Sequence, residues 1–537
     1  MDWLRLGGVL VLLSLVTSVL ASPILNSLYP SPVNYTPPWN PPQCSSLPWI
    51  RVNETHFQQV GGGYVTFHGM NYMGLELHPI FYSPSPLDFQ DMESWGFNLV
   101  RLPLDWSYLE PEPGVFNSSY VSLIREVVGM ANSHCLYVVL DMHQFHWSPV
   151  FYAWGGDNGV DGDGAPAWAV PYRNQTLQAL NLDQEYFWTN STVEAQFALA
   201  WKYLASNFAN DSGVFGYDLF NEPTTPQGWD DSHMFQRLDS LYQEVIDAVR
   251  EVDQRHIIFL ESTFYDSATD LYLMAKPLDP SGQIALEVHD YSANYHFPEG
   301  PLSPSPNLEA AIQTSQGWGV PLWVGEFGNN NTPYFDRIAV EAFDSYGLSW
   351  TYWAFYWGWA GFAFDSYGDL NPVVPQALLE PYFRLSSSPL LSTLEINESV
   401  GRSWRIQVDA RFAGNGWALL FVPYGLSPSS GVYNPESRTL NLSVQGGEVR
   451  VYLYPRNYTP PQGAAPPFGR TVDVSFTAAL AAAVIWAAIR GRVSGSTGIA
   501  QGGDRGRVRL SRYHGTPELV CNHLQSGTNS VTPSVPS

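Results

Sequence analysis

The stretch FGYDLFNEPT, residues 215–224, is an apolar run that ends in Asn221 and Glu222 and is closed by a proline. Further along the chain, PLWVGEFG, residues 321–328, repeats the pattern and ends in Glu326. Each run has the composition of a strand that is buried on both faces, because such strands read as near-continuous apolar segments. The two runs therefore predict two glutamates at the carboxyl ends of two strands in one parallel sheet.

The region around these runs alternates strand-like and helix-like segments over residues 61–385. This alternation is typical of a parallel β/α fold. The candidate strands are Tyr64–Asn71, Asn98–Leu102, Leu136–Met142, Phe215–Phe220, His256–Glu261, Ile284–His289, Leu322–Gly325 and Ser349–Trp353. Eight strands with interleaved helices predict an α/β protein built on a (β/α)8 TIM barrel.

Several segments between the strands have apolar residues at helical spacing. The predicted helices are Ser118–Ala131, Ser191–Asn207, His233–Val252 and Tyr334–Tyr346. Ser191 and Glu194 have the spacing of a capping box, in which two side chains satisfy the first free amides of a helix. The sequence therefore predicts that the second of these helices opens with that box.

The remaining segments differ in composition from the predicted barrel. Short strand-like runs separated by glycine turns predict a small C-terminal β-sandwich over residues 386–456, which we interpret as a structural cap rather than a sugar-binding module. The other segments are a predicted signal peptide at 1–21, an arm or linker at 22–60, a Pro/Gly-rich linker at 457–473 and a disordered tail at 490–537.

The apolar segment 474–489 is followed by Arg490 and Arg492. It is shorter than the ~20 residues that span a bilayer comfortably, although the arginines fit the cytoplasmic side of a span. A membrane anchor and a surface helix both stay open. Ten Asn-x-Ser/Thr sites and the signal peptide predict an extracellular protein, either secreted or tethered to the cell membrane by this segment.

The charge of the chain restricts its partners. The formal net charge is −25, and the only lysines are Lys202 and Lys276. Such a charge repels nucleic acid and anionic membrane surfaces, whereas it is compatible with neutral or lipid-borne sugars. We therefore expect a carbohydrate or glycolipid substrate and no nucleic acid.

The three cysteines form no metal-binding pattern, and we expect neither a metal nor a cofactor. Cys135 lies beside an apolar run, which favours a buried thiol, and a disulfide with Cys44 is the alternative. The loop at residues 157–164 alternates aspartate with glycine but lacks the final glutamate of an EF-hand. We interpret it as an acidic loop at the mouth of a pocket.

Polar and aromatic residues lie at the ends of six predicted strands. In a barrel the carboxyl ends of the strands converge on one pocket, so these residues are candidates for one active site. Glu222 is the predicted general acid and base, and Glu326 is the predicted nucleophile. The predicted supporting residues are Arg101, His143, Asn221, His289, Tyr291 and Trp353.

Two carboxyl groups placed in this way suit glycoside hydrolysis, in which one protonates the leaving oxygen and the other attacks or stabilises the sugar carbon. Glu222 needs a raised pKa so that it carries the proton, whereas Glu326 must stay ionised. Arg101 and the hydroxyl of Tyr291 are natural partners for the Glu326 anion.

The other supporting residues are assigned to the sugar and to the acid. Asn221 is expected to hold the sugar 2-hydroxyl, and His289 to hydrogen-bond in the neighbourhood of the acid. His143 is expected to bind the sugar at the cleavage site, and Trp353 to form the floor beneath it.

Asn221-Glu222-Pro223 and Gly325-Glu326-Phe327-Gly328 resemble the motifs of glycoside hydrolase family 5, over roughly residues 61–382. The family's ordered set of Arg, His, Asn, Glu, His, Tyr, Glu and Trp matches the eight residues named above without a gap. The resemblance implies a retaining (β/α)8 enzyme of the cellulase superfamily that forms a covalent glycosyl intermediate on Glu326. The two carboxyl groups would then lie ~5–5.5 Å apart.

Three further stretches resemble the endoglycoceramidase-type branch of the family, whose members cleave the bond between an oligosaccharide and its lipid. They are LDMHQ at 140–144, GAPAW at 164–168 and YDLFNEP at 217–223. Phe145 departs from that branch, where an acidic residue is expected. A β-glucan endoglucanase-like activity therefore stays open, as do the sugar, the linkage and endo versus exo cleavage.

The alternative from a different functional class is a non-catalytic carbohydrate-binding or surface-layer protein on a barrel scaffold. An export signal, an acidic charge and a high aromatic content would suit such a protein as well as they suit an enzyme. A protein that only binds sugar has no need for both Glu222 and Glu326, so the intact pair favours an enzyme.

Overall fold

The computed structural model describes residue 44 and residues 46–456, with gaps at 79, 81–82, 146, 152–162, 264–267, 292–304, 329–331, 357–360, 365–369 and 401–402. The predicted signal peptide, the C-terminal linker, segment 474–489 and the tail lie outside the described residues. None of the helices in the described part combines the length and the hydropathy that a membrane span requires.

Eight parallel strands follow one another in chain order around a closed barrel. They are His68–Asn71, Leu99–Asp105, Tyr137–His143, Val214–Asp218, Ile257–Leu260, Ile284–His289, Leu322–Glu326 and Ser349–Tyr352. The eighth strand closes the barrel on the first, where Trp350 pairs with His68. The predicted (β/α)8 barrel is confirmed. Because all eight strands are parallel, their carboxyl ends gather at one rim.

The helices of the barrel region include all four that the sequence predicts. Their bounds are Pro86–Trp95, Trp106–Leu109, Ser118–Ser133, Leu177–Thr189, Ser191–Phe208, Asp231–Arg250, Pro306–Trp318 and Pro333–Ser345, with short helical turns at Ala167–Ala169, Ala268–Leu273 and Val374–Leu378. The predicted capping box is wrong. Asn190 is the cap, because its Oδ1 accepts the Thr192 N–H at 3.1 Å. Glu194 instead pairs with Arg237 at 2.6 Å.

The residues before the barrel form strands rather than the end of the predicted arm. Ile50–Asn53 and His56–Gln59 form a hairpin, and Tyr64–Val65 pairs with its second strand. Tyr64–Val65 also pairs with Tyr382–Ser386, which follows the barrel. The segments on either side of the barrel therefore meet in one sheet, and the predicted strand Tyr64–Asn71 is split between this sheet and the barrel.

The hairpin closes the amino-terminal end of the barrel with an aromatic layer. Phe57 of the hairpin is only 3% exposed, and its ring lies 4.9 Å from that of Phe215 and 6.1 Å from that of Phe259. Gly216 follows Phe215 in the strand, and a Cβ there would lie 2.3 Å from the Ile257 carbonyl oxygen. Gly216 thus allows the fourth and fifth barrel strands to approach each other next to this aromatic layer.

The remaining strands form a two-sheet sandwich. One sheet contains, in spatial order, Ile50–Asn53, His56–Gln59, Tyr64–Val65, Tyr382–Ser386, Gly416–Phe421, Thr439–Val444 and Val432–Asn434. The other contains Leu390–Val400, Ser403–Phe412, Glu448–Pro455 and Leu426–Pro428. Side chains of both sheets, such as Val408 and Leu420, share one buried core. The predicted C-terminal sandwich is present, and three strands from before the barrel enlarge it.

Cys44 and Cys135 form a disulfide, with their Cα atoms 5.3 Å apart. The expectation of a buried thiol at Cys135 is therefore wrong, and the alternative is correct. The bond attaches the residues before the hairpin to the turn that follows the helix Ser118–Ser133. It fixes the start of the described chain to the outside of the barrel.

Replacing Phe57 by alanine should lower the free energy of unfolding by about 3–5 kcal/mol, because it leaves a cavity in the barrel floor. Urea unfolding followed by circular dichroism measures this loss. Leu278→Ala is the control, since Leu278 is 79% exposed, and it should change stability by less than about 0.5 kcal/mol. Equal losses in the two variants would contradict the role of the hairpin as the floor.

Candidate active site

The barrel rim brings all eight sequence-predicted residues into one network. Six of them are joined by direct hydrogen bonds or ion pairs: Arg101, Asn221, Glu222, His289, Tyr291 and Glu326. His143 and Trp353 stack on each other, and Asp141 connects His143 to Arg101 through contacts of 2.7 and 3.1 Å. The residues named from the sequence are therefore neighbours in the fold.

Arg101 lies at the centre of this network and has no exposed surface. Its Nη1 donates to Glu326 Oε1 at 2.6 Å, and its Nη2 donates to Asn221 Oδ1 at 2.8 Å. Nε and Nη2 both donate to Asp218 Oδ2, at 2.9 and 2.7 Å. Burial opposes the charge, but the surrounding carboxylates outweigh it and raise the pKa of Arg101 well above its usual value. The guanidinium is therefore a fixed positive charge inside the barrel.

The backbone of Glu222 is held on both sides. Its φ of +44° lies in the left-handed region, which residues other than glycine seldom adopt. Its N–H donates to Glu261 Oε2 at 2.6 Å, and its carbonyl oxygen accepts from Gln144 Nε2 at 2.8 Å. Burial, followed by the charge of Glu326, raises the pKa of Glu222 well above its usual value. Glu222 therefore holds its proton more tightly than a free glutamate does, which suits a general acid.

Glu326 is placed among groups that favour its anion. Its Oε1 accepts from Arg101, and its Oε2 accepts from the Tyr291 hydroxyl, each at 2.6 Å. Burial raises the pKa of Glu326, while Arg101, then His143 and the Tyr291 hydrogen bond, act to lower it. The pKa of Glu222 is raised the more strongly of the two. Of the two carboxyl groups, Glu222 therefore holds a proton more tightly than Glu326 does.

Two neutral histidines flank the glutamates. His289 Nδ1 lies 2.8 Å from Glu222 Oε1 and 3.6 Å from Glu326 Oε2, so one nitrogen faces both carboxyl groups. Burial lowers the pKa of His289 well below its usual value. Burial also lowers the pKa of His143 to about 4, and the His143 and Trp353 rings stack with centroids 5.2 Å apart. Neither imidazole carries a charge at neutral pH.

The sequence analysis missed five buried polar residues that complete the network: Asn71, Asp141, Asp218, Glu261 and Glu287. Each lies in or directly after a barrel strand that is otherwise largely apolar. Polar side chains are buried only where hydrogen bonds or opposite charges compensate for lost water. A carboxylate within an apolar strand was therefore a signal that these side chains face a polar interior.

Glu287 explains the glycine before the second glutamate. Its Oε1 lies 3.4 Å from Arg101 Nε and 3.4 Å from His289 Nε2. A Cβ on Gly325 would lie 1.6 Å from Glu287 Oε1, so no larger residue fits there without displacing the carboxyl group. Gly325 thus leaves space for the Glu287 carboxyl group, and the strand places Glu326 directly after it.

The acidic loop that the sequence predicts at the mouth of a pocket is described only at its end, because residues 157–162 lie outside the described residues. Asp163, beyond them, is buried and accepts the backbone N–H of Phe145, whose side chain is 42% exposed.

Two groups of described residues offer the donor types that a divalent cation would need. Their ligand atoms lie within 4.8 Å of one another, and the groups are Glu222, Glu261 and His289, and His68, Asp344 and Glu380. In the first group Glu326 and its partner Arg101 lie beside His289, and in the second the Arg337 guanidinium lies 3.4 Å from Glu380. An arginine therefore lies close to the acids in each place.

Comparison with known families agrees with this geometry. Residues 64–357, more than half of the chain, match the family model described as cellulase (glycosyl hydrolase family 5). The chain belongs to glycosyl hydrolase family 5. The matched span contains all eight barrel strands and the complete network around Glu222 and Glu326.

Curated relatives include endoglycoceramidases. That of Cyanea nozakii is 26% identical over 224 residues, which cover 34% of this chain and 43% of the relative. Endoglycoceramidase I of Rhodococcus hoagii (strain 103S) is 24% identical over 349 residues, which cover 57% of this chain and 68% of the relative. The chain thus spans less than half the length of the first relative. Endoglucanases are also among the curated relatives.

The fold has a counterpart among solved structures. The ganglioside GM3 complex of endo-glycoceramidase II from Rhodococcus sp. has a TM-score of 0.60 to this chain at 21% identity. The similarity covers 75% of this chain and 100% of that chain. At this identity the likeness shows the fold, which both proteins share.

Replacing Arg101 by methionine should destabilise the protein more at pH 8 than at pH 5. Burial raises the pKa of Asp141 to about 7 and that of Asp218 to about 6 even beside the guanidinium. Because the pKa values of these two acids are higher in the folded protein than in the unfolded chain, the folded protein loses stability as pH rises through about 6–7. Removing Arg101 raises both pKa values further. We expect a loss of about 3–5 kcal/mol at pH 8 and a smaller loss at pH 5, measured by urea unfolding.

Arg450→Met is the matched control, because Arg450 is 60% exposed and pairs with Asp409 on the sandwich. It should have little effect at either pH. If Arg101→Met destabilised the protein equally at both pH values, the acids around Arg101 would not depend on its charge.

Proposed function

We propose that this protein is a retaining β-glycosidase that cleaves the bond between an oligosaccharide and its lipid. The observation that carries the proposal is the pair Glu222 and Glu326, held in one buried network in which the pKa of Glu222 is raised more strongly than that of Glu326. A retaining mechanism needs one carboxyl group that holds a proton and a neighbouring one that is ionised. An oxygen of each carboxyl group lies within 3.6 Å of His289 Nδ1, so the two groups are neighbours in the network.

In the first step, Glu326 attacks the anomeric carbon of the sugar while Glu222 protonates the oxygen that leaves. The bond from the anomeric carbon to that oxygen breaks, and an ester between the sugar and Glu326 forms. Arg101 and Tyr291 bind the Glu326 carboxylate, one at each oxygen, which fixes its orientation for attack. The leaving group departs with the proton from Glu222.

In the second step, Glu222 acts as a base. It takes a proton from a water molecule, whose oxygen attacks the anomeric carbon and breaks the ester to Glu326. The sugar is released with its original anomeric configuration, and both glutamates return to their starting states. The predicted separation of ~5–5.5 Å between the carboxyl groups belongs to this retaining mechanism.

The lipid-linked substrate is supported by sequence and by relatives. The stretches 140–144, 164–168 and 217–223 resemble the endoglycoceramidase-type branch. Curated relatives include endoglycoceramidases, and the compared Rhodococcus enzyme was solved with a ganglioside. We therefore propose a glycolipid with a β-linked oligosaccharide as the substrate.

A β-glucan is the second candidate substrate, and Phe145 favours it. This position, directly after His143-Gln144, holds an exposed aromatic ring where the endoglycoceramidase-type branch is expected to have an acid. Aromatic faces stack on sugar rings, so such a residue would suit a glucan chain as well as an oligosaccharide head group. Endoglucanases among the curated relatives are consistent with this alternative.

We propose further that the protein is exported, and that it is either secreted or tethered to the cell membrane by segment 474–489. Residues 1–21 have the pattern of a signal peptide, and the Cys44–Cys135 disulfide suits an oxidising compartment. A tether would keep the barrel at the surface on which a glycolipid substrate lies.

Product analysis by mass spectrometry tests the substrate. The full chain in detergent micelles, incubated with a glycosylceramide, should release the intact oligosaccharide and free ceramide. A parallel incubation with a β-1,4-glucan should give few short fragments. Release of glucan fragments without ceramide would instead assign the protein to the endoglucanase-like members.

Glu326→Gln is the control for the nucleophile, and it should reduce hydrolysis by at least about 10³-fold, because the amide cannot form the ester. Glu194→Gln is the matched replacement, since Glu194 is a buried acid on an outer helix, paired with Arg237. It should leave hydrolysis unchanged. Wild-type rates in Glu326→Gln would overturn the assignment.

The dependence of kcat/KM on pH should be bell-shaped, rising as Glu326 ionises and falling as Glu222 loses its proton. Tyr291→Phe removes a hydrogen bond that lowers the pKa of Glu326, so the acidic limb should move to higher pH. The loss of this partner should also reduce kcat by about 10²-fold. Tyr272→Phe, at a 74% exposed position, should change neither quantity. An unmoved acidic limb in Tyr291→Phe would contradict the role of the hydroxyl.

A further inference from the structure

Glu261 lies at the carboxyl end of the fifth barrel strand, which supplies none of the eight residues named from the sequence. Its side chain is 4% exposed. Its Oε2 accepts the backbone N–H of Glu222 at 2.6 Å, and its Oε1 lies 3.3 Å from His289 Nδ1. One carboxyl group therefore contacts both the predicted acid and the histidine that faces the two glutamates.

The hydrogen bond from the Glu222 N–H to Glu261 stabilises a backbone conformation that is unfavourable by itself. Glu222 has a φ of +44°, and a left-handed conformation costs a residue with a side chain roughly 1–2 kcal/mol. Gln144 binds the carbonyl oxygen of Glu222 and Glu261 binds its N–H. The two hydrogen bonds fix the backbone from which the Glu222 side chain reaches His289, at 2.8 Å.

The same contact accounts for a buried polar group. Beyond the fourth strand, Val214–Asp218, the Asn221 N–H still donates to a backbone carbonyl, that of Met142, whereas the Glu222 N–H donates to the Glu261 side chain. A buried N–H without an acceptor costs about 1–3 kcal/mol. The carboxyl group of Glu261 supplies that acceptor, and the Glu261 backbone is fixed in turn because its carbonyl oxygen accepts from the Tyr242 hydroxyl at 2.8 Å.

We propose that Glu261 is a positioning residue of this active site: its carboxyl group anchors the Glu222 backbone and contacts His289, and so fixes the acid/base side chain relative to Glu326. The inference rests on the proposed glycosidase activity. It assigns a function to the fifth strand and explains why an acid ends a strand whose other residues, Ile257–Leu260, are apolar.

A pair of variants isolates the hydrogen bond. Glu261→Gln keeps an oxygen that can accept the Glu222 N–H, whereas Glu261→Met has similar length and no comparable acceptor. On an aryl β-glycoside, we expect kcat to fall about 10²-fold in Glu261→Met with KM unchanged, because small misplacement of a catalytic group is costly. Glu261→Gln should stay within about threefold of wild type. Glu93→Met, at a buried acid on the helix Pro86–Trp95, controls for loss of stability and should keep wild-type kcat.

Amide hydrogen exchange gives a readout that does not depend on activity. The Glu222 N–H, followed by mass spectrometry in a peptide containing residues 219–223, should exchange at least about tenfold faster in Glu261→Met than in Glu261→Gln. Equal exchange and equal kcat in the two variants would overturn the proposal. A wild-type protein that hydrolyses no β-glycoside would count against the proposed function, whereas the exchange rates would still decide whether Glu261 anchors Glu222.

Discussion

The buried charge of Arg101 is the constraint on which the rest of the site depends. A guanidinium without exposed surface is stable only where carboxylates and hydrogen-bond acceptors surround it. Here Asp141, Asp218, Glu287 and Glu326 supply the carboxylates from four different strands. Their convergence requires a closed barrel, so the electrostatics of the site and the topology of the sheet support each other. The same charge lowers the pKa of Glu326 and so opposes the effect of burial, which raises it.

The barrel is divided into an apolar floor and a polar rim. At the floor, Phe57 from outside the barrel fills the space between the rings that the strands direct inward. Toward the rim, the inward side chains become polar and bind one another. Glycines allow the close contacts in both layers: Gly216 lets neighbouring strands approach, and Gly325 makes room for the Glu287 carboxyl group. The rigid floor fixes the strands, and the fixed strands hold carboxyl groups together at the rim although these groups repel one another.

The sequence predicted the barrel and the convergence of the eight candidate residues because both have local signals. Apolar runs of strand length alternate with amphipathic segments, and each polar candidate lies where such a run ends. It failed where the partner is distant in the chain. The strand Tyr64–Val65 pairs with Tyr382–Ser386, and Cys44 bonds to Cys135, and neither pairing has a local pattern. The capping box failed for a different reason, since the adjacent Asn190 competes for the same free amides.

What the sequence determined by itself is therefore the order of the strands, the family of the fold and the positions of Glu222 and Glu326 at two strand ends. These follow from residue types at fixed spacing along the chain. The tertiary structure decided which of the two glutamates has the more strongly raised pKa, because that depends on burial and on charges brought from other strands. It also decided that Glu261 lies against Glu222, since only closure of the barrel brings the fourth and fifth strand ends within hydrogen-bond distance.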